Sequence, residues 1–316
     1  MTLLLALLVS AAPLRPVHTY SIVARDPKTG ELGVAVQSHW FSVGSSVTWA
    51  EAGVGAVATQ SFVDPAYGPL GLELMRAGKP AEAALASLLA GDAQRDVRQV
   101  AMIDARGTVA THTGVKCIAA AGGQLGKEYA VQANLMEKDS VWPAMARAYE
   151  TATGDLAERM LKALEAAERE GGDIRGRQSA AILVVEPKSS GRPWADKVFD
   201  LRVEDHPEPL LELRRLVGVQ RAYNHMTAGD DCTALADWAC AESEYGAAEA
   251  LQPQNAEMAF WHAIALATNG KLEPARPLFA KAFAADPRWR ELVKRLPAVD
   301  QLPKDPKLLA DILAVR

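Results

Sequence analysis

The chain has 316 residues, 49% hydrophobic and 23% charged, with a formal net charge of −5. That length suits two domains, each able to bury a core, and the mild acidity without a Lys/Arg stripe argues against a nucleic-acid surface. No apolar run is long enough to span a membrane, and three cysteines, Cys117, Cys232 and Cys240, are too few for a disulfide framework, although one bridge such as Cys232 to Cys240 stays open.

Residues 1–12, MTLLLALLVSAA, join an apolar stretch to small residues and read as a secretory signal, with cleavage expected after Ala11 or Ala12. The expected location is periplasmic or secreted, and cytoplasmic if the true start lies near Thr19. Residues 20–25 and 32–37 alternate apolar and polar around Asp26-Pro27-Lys28-Thr29-Gly30. Pro presets φ and Gly accepts positive φ, so this is a β-hairpin with Thr19 at its leading edge. Residues 53–60, GVGAVATQ, read as a small-residue strand and residues 64–70 as a loop. Helical patterns follow over 71–77 and 80–89, then a hairpin over 99–104 and 108–113, and a short strand over 129–133. Amphipathic helices are predicted over 141–153 and 156–170, the second with Leu156, Met160, Ala163 and Leu164 on one face. An apolar strand over 179–186 and an alternating one over 197–203 complete the first domain. About eight strands and four helices, with hairpin-joined strands apolar on both faces, predict an α+β domain of two stacked sheets covered by helices.

From residue 204 the composition turns Ala-, Leu- and Glu-rich after a linker marked by Pro207 and Pro209. Ala263, Leu266, Gly270, Ala275, Phe279, Ala282 and Pro287 follow tetratricopeptide spacing, and Tyr245, Ala248 and Pro253 fall one period of about 34 residues earlier. Fewer than three such repeats are marginal alone, so this module is expected to lean on the first domain or on another copy. The predicted layout is a signal or processed segment at 1–18, a sandwich domain at 19–205 and a helical domain at 206–316.

Several chemical motifs fail on inspection. Gly53-x-Gly55-x-x-Ala58 mimics a dinucleotide fingerprint, but Thr59 and Gln60 continue a strand. GGQLGK at 122–127 is one residue short of a phosphate loop and lacks the Ser or Thr that should follow. The six histidines have no metal-ligand spacing, so neither metal nor cofactor is expected, and no G-x-S-x-G elbow occurs.

Five stretches carry a resemblance: TYSIVARDPKTGELGVAVQS at 19–38, GVGAVATQ at 53–60, YGPLG at 67–71, YAVQANL at 129–135 and GRQSAA at 176–181. Together they resemble the domain of unknown function 1028 family, from residue 19 to about 203. That family is similar in fold to the N-terminal-nucleophile hydrolases, which implies an αββα four-layer sandwich. Residues 209–297 also resemble the C-terminal extension of such proteins, described there as peptidoglycan-binding, although the repeat spacing favours docking of a peptide or protein.

The resemblance implies an amidohydrolase with Thr19 as nucleophile. A threonine made N-terminal pairs a hydroxyl with a free α-amine that titrates near ~8 and can accept its proton. By position, the resemblance assigns Ser38 and His39, Thr59 and Gln60, Asn134, and the run Arg177, Gln178 and Ser179 as substrate-binding donors around the oxyanion. The expected substrate is a small amide or peptide-like bond. The alternative is a non-catalytic exported module whose helices dock a protein, peptide or cell-wall partner; the sequence leaves the assembly state open, a homodimer among the options.

Overall fold

The computed structural model describes residues 19–316, so the expected signal segment lies outside the described residues. The chain divides between Arg214 and Arg215 into two units. The first opens with β1 (Thr19–Arg25) and β2 (Leu32–Ser38), paired antiparallel from Thr19 opposite Ser38 to Arg25 opposite Leu32. Asp26 builds the turn between them. Its carboxylate accepts the N–H groups of Lys28 (2.7 Å) and Thr29 (3.2 Å), and Gly30 closes it at φ +82°, where a side chain would be strained.

The unit continues through α1 (Gly44–Val47), β3 (Thr48–Glu51), β4 (Gly55–Ser61), α2 (Tyr67–Arg76), α3 (Ala81–Gly91), β5 (Arg98–Asp104), β6 (Val109–Thr113), β7 (Gly122–Gly126) and β8 (Tyr129–Ala133). Then come α4 (Val141–Thr151), α5 (Leu156–Arg169), β9 (Ser179–Val185) and β10 (Lys197–Val203). One antiparallel sheet runs β10-β9-β2-β1-β8-β7 and the other β3-β4-β5-β6.

Period-two alternation sorts the strand residues between two environments. Val23, Val34, Val36, Ala58, Ala101, Ile103 and Ala181 meet in a core between the sheets. On the outer face of the four-stranded sheet, Val57, Val100 and Met102 pack under Tyr67, Leu72, Met75 and Leu85 of α2 and α3. The six-stranded sheet is covered by α5, whose buried stripe Leu156, Met160, Ala163, Leu164 and Ala167 has three-and-four spacing. A Cβ on Gly33 would lie 2.6 Å from the Met160 methyl, so a bare backbone is required for the helix to come this close. Asp26 adds an ion pair to Arg159 (3.1 Å), tying the first turn to α5. Burial of each such large apolar side chain is worth roughly 1.5–3 kcal/mol, which makes these layers the main source of stability.

Two strands, β3 and β7, lie where none was predicted, and α2 starts at Tyr67 inside the predicted loop. Pro69 falls in its first turn, where the missing N–H has no intrahelical acceptor to lose.

The second unit holds the remainder of α6 (Pro209–Ala234), then α7 (Trp238–Leu251), α8 (Ala256–Thr268), α9 (Leu272–Ala285), α10 (Arg288–Arg295) and α11 (Pro306–Leu313). Ala263, Leu266, Ala275, Phe279 and Ala282 are buried together where α8 packs on α9, and Gly270 makes the intervening turn at φ +75°. Tyr245 and Ala248 belong to a neighbouring cluster with Ala222 and Met258. Cys232 and Cys240 are joined by a disulfide across the α6–α7 turn. Among the described residues no helix is long and apolar enough to cross a membrane.

Candidate functional site

Thr19 heads β1, a central strand of the six-stranded sheet, and its side chain faces the opposing sheet together with Ser21 and Val23. The apolar core gives way to amides and hydroxyls at this end. The Thr19 hydroxyl lies 3.2 Å from that of Ser38, its partner across the β1–β2 ladder. Its carbonyl accepts the Asn134 N–H (3.1 Å), the Gln60 side-chain amide (3.0 Å) and, at 3.5 Å, that of Asn134.

Gln99 is the hub of this layer. Its Oε1 accepts from Gln60 (2.7 Å) and Asn134 (2.9 Å), while its Nε2 faces Thr113 Oγ1 (2.9 Å) and the carbonyls of Ala133 (2.9 Å) and Gly122 (3.2 Å). Gln132 makes a second crossing: its Nε2 reaches Ser21 Oγ (3.2 Å) and the Ala58 carbonyl (3.1 Å) on the other sheet. Ser21 in turn donates to Gln60 Oε1 (2.7 Å). Thr19, Ser21, Ser38, Gln60, Gln99, Gln132 and Asn134 are all buried, so each amide left unpaired here would cost about 1–3 kcal/mol. The network therefore clamps the two sheets in one register.

Backbone conformation marks the same place. Ser61 (φ 68°) and Leu135 (φ 55°) adopt the left-handed region immediately after Gln60 and Asn134. Non-glycine residues rarely accept this, and such positions gather where a fold must aim particular groups.

The remaining predicted donors go elsewhere. Thr59 pairs with Val100 on the helix-covered face, and its hydroxyl donates to the Asp64 carbonyl (3.1 Å). Adjacent strand residues point to opposite faces, so Thr59 and Gln60 cannot both serve Thr19. The Ser179 hydroxyl holds the Trp40 carbonyl (2.5 Å) and the Val43 N–H (3.1 Å), which fixes the chain leaving β2. Arg177 is exposed and ion-paired with Glu168 and Glu208, and Gln178 donates to Asp205 (3.1 Å). Glu168 also accepts the Tyr20 hydroxyl (2.6 Å), on the helix side of the sheet. Burial, reinforced by Glu168, raises the Tyr20 phenol and keeps it a neutral donor. His39 stands one residue past β2; its N–H donates to Asp173 (3.3 Å) and its buried Nδ1 has no hydrogen-bond partner among the described residues.

Residues 19–213 match the family described as "Family of unknown function (DUF1028)". The chain belongs to this family. It is also similar to the crystal structure of protein SPO2555 from Silicibacter pomeroyi, another DUF1028 protein, at 31% identity and a TM-score of 0.57, covering 63% of this chain and 84% of that one. No protein with a curated description matches.

Within the DUF1028 region, sequence reasoning missed Ser21, Gln99 and Gln132. A signal was there: a glutamine at alternating phase in an otherwise apolar strand, as in RQVAMID and YAVQA, needs a buried partner. The free cysteine of the chain, Cys117, is a poor rival nucleophile. Burial pushes its thiol up, away from the reactive thiolate, and it donates to the Arg98 carbonyl (3.3 Å).

Proposed function

We propose that this DUF1028 protein is an N-terminal-nucleophile-type amidohydrolase in which Thr19 acts once the bond preceding it is cut. The observation that carries the reading is Thr19 at the head of a central strand, its hydroxyl against Ser38 and its carbonyl held by Asn134 and Gln60. The layering, with a helical cover outside each of two facing sheets, fits the αββα sandwich of that class, and the family match itself begins at residue 19.

The chemistry of the neighbours supports it further. Ser38, Gln60, Gln99 and Asn134 are hydroxyls and carboxamides, none of which takes a proton at neutral pH. The base must then come from Thr19 itself. A free α-amine, titrating near ~8, fills that role, whereas the nitrogen of an intact His18–Thr19 peptide does not. In the forward step the Thr19 oxygen bonds to the substrate's amide carbonyl and its proton passes to the α-amine. The amine returns that proton to the departing nitrogen as the C–N bond breaks, leaving an ester on Thr19. Water, deprotonated by the same amine, then cleaves the ester. Ser38, whose hydroxyl lies against that of Thr19, is the group best situated to steady the oxyanion.

Export agrees with the Cys232–Cys240 disulfide, since such bonds persist in oxidising compartments. The helical unit, with α8 packed on α9 through small residues such as Ala263 and Ala282, reads as a tetratricopeptide-like docking module.

Mass spectrometry of the mature chain, followed by labelling with an acylating amide analogue, tests the proposal. The expected result is a chain beginning at Thr19 that gains one acyl group on that residue, with labelling lost in Thr19→Ala. Mature protein that starts upstream of Thr19 and takes no label would overturn it.

A further inference from the structure

The helical unit carries an open cleft of about 620 Å³, within the size range of small-ligand sites. Its walls come from faces with helical spacing: Tyr223 and Asp230 on α6, Tyr245 on α7, and Glu257, Trp261 and Thr268 on α8. Nothing in the Thr19 reading uses it, and all of its lining residues belong to the second unit.

Its electrostatics are one-sided. No lysine, arginine or histidine lines it. Asp230 accepts a hydrogen bond from the Tyr245 hydroxyl (2.6 Å) and Glu257 one from the Tyr223 hydroxyl (2.6 Å). Neither carboxylate has a basic partner among the described residues. A third, Asp300, is exposed and already paired with Lys304 (2.7 Å). A neutral phenol spreads a carboxylate's charge without cancelling it, so two negative charges remain directed at the same space. The Thr268 hydroxyl oxygen, also in the lining, is shut off from solvent and has no hydrogen-bond partner among the described residues.

The rest of the surface combines aromatic and apolar side chains with Thr227, Thr233 and Gln301. Tyr223, Tyr245 and Trp261 are among its lining residues, and aromatic rings attract cations through their quadrupoles by about 0.5–2 kcal/mol each. The placement of Tyr245 depends on Gly229: a Cβ there would lie 2.8 Å from the ring, so only glycine lets the phenol settle against α6 and reach Asp230. Aromatic walls and carboxylates without a basic partner are together the chemistry that recognises an organic cation.

We propose that this cavity binds an ammonium group carried on an apolar stem, with Asp230 and Glu257 as its counter-ions and Trp261, Tyr223 and Tyr245 around the stem. The group could arrive on a small free amine or on a lysine side chain of a peptide; the chemistry is shared. The inference stands on the second unit alone and does not depend on Thr19.

Isothermal titration of the full chain tests it with three probes: n-pentylammonium, Nα-acetyl-lysine methylamide and the neutral isostere 1-pentanol. Both cations are expected to bind, and pentanol about tenfold or more weakly than pentylammonium. The tighter of the two cations identifies the source. The double variant Asp230→Asn, Glu257→Gln keeps both tyrosine acceptors and is expected to lose about tenfold in cation affinity while leaving pentanol unchanged. Equal binding of pentanol and pentylammonium, or no binding of either cation up to about 10 mM, overturns the proposal without recourse to a variant. So does a folded double variant that binds pentylammonium as the wild type does.

Discussion

Between the sheets, Gln99 alone touches Gln60, Asn134, Thr113 and the carbonyls of Gly122 and Ala133, and nearly every polar atom around Thr19 is spent on another. In the helical unit, Asp230 and Glu257 each take a single tyrosine hydrogen bond and otherwise face an opening of about 620 Å³. Both regions gather polar groups, but the first is buried between the sheets while Asp230 and Tyr223 of the second are exposed, so only the first must meet the cost of desolvation from within. A closed network repays burial internally, and what it yields is position: one threonine held to one geometry. An open one leaves its carboxylates to water, which a cationic ligand can replace.

The largest expected effect comes from breaking the closed network. Gln99→Ala strands the amides of Gln60 and Asn134 and several acceptors, and should destabilise the first unit by roughly 3–5 kcal/mol. Urea unfolding measures it. Gln99→Leu should not rescue the loss, because the partners rather than the volume are what is missing.

Next is the disulfide. Cys232 and Cys240 are separated by 8 positions, and a loop of that size constrains the unfolded chain by about 2 kcal/mol. The double serine variant should raise hydrogen exchange in α6 and α7 while leaving β1, β4 and β8 protected. Equal loss of protection in both units would erase the contrast drawn here.

A smaller effect concerns Asp92. Burial pushes its carboxyl up, but hydrogen bonds from Arg98 (2.8 Å), the Gln94 N–H (2.7 Å) and Tyr67 (3.0 Å) outweigh this and hold it below the usual carboxylate range. Arg98 precedes Gln99 and also donates to the Phe62 carbonyl, so the pair anchors the ends of β4 and β5. With the folded value depressed, this stabilisation is complete above the unfolded value near ~3.9 and disappears as pH falls through the folded one. Asp92→Asn should cost about 1 kcal/mol at neutral pH, discounted for partial exposure, and should flatten the acid limb of a stability–pH curve.

The smallest effect is expected where the open site is altered. Glu257→Gln retains an oxygen for Tyr223 and should change stability by no more than about 0.5 kcal/mol in a thermal melt. A large loss would mean that the carboxylate serves the fold rather than a ligand.

Much of the first unit is legible in the chain. The hairpin at 19–38 announces itself through turn residues and alternation, and β8 and β10 fall at the predicted residues because β-branched and aromatic side chains bracket them. GGQLG gives no such signal, being rich in glycine; β7 exists because β8 offers it a ladder. The site shows the same division. Thr19 beside Ser38 follows from hairpin register, since the two are cross-strand partners. Gln99 opposite Gln60 follows in the same way from the β4–β5 register, but Gln99 beside Asn134 does not, for that contact crosses from one sheet to the other.

Local chemistry by itself thus determined where most strands and helices form, that Thr19 leads a strand, and that the final third of the chain is helical. Only the tertiary structure decided that Gln60 rather than Thr59 serves Thr19, that Ser179 and Arg177 are occupied elsewhere, that Cys232 meets Cys240, and that a carboxylate-lined cavity exists. The physical reason is range. Turn geometry and side-chain periodicity act over a few residues, whereas hydrogen-bond satisfaction and charge compensation depend on neighbours that arrive from distant parts of the chain.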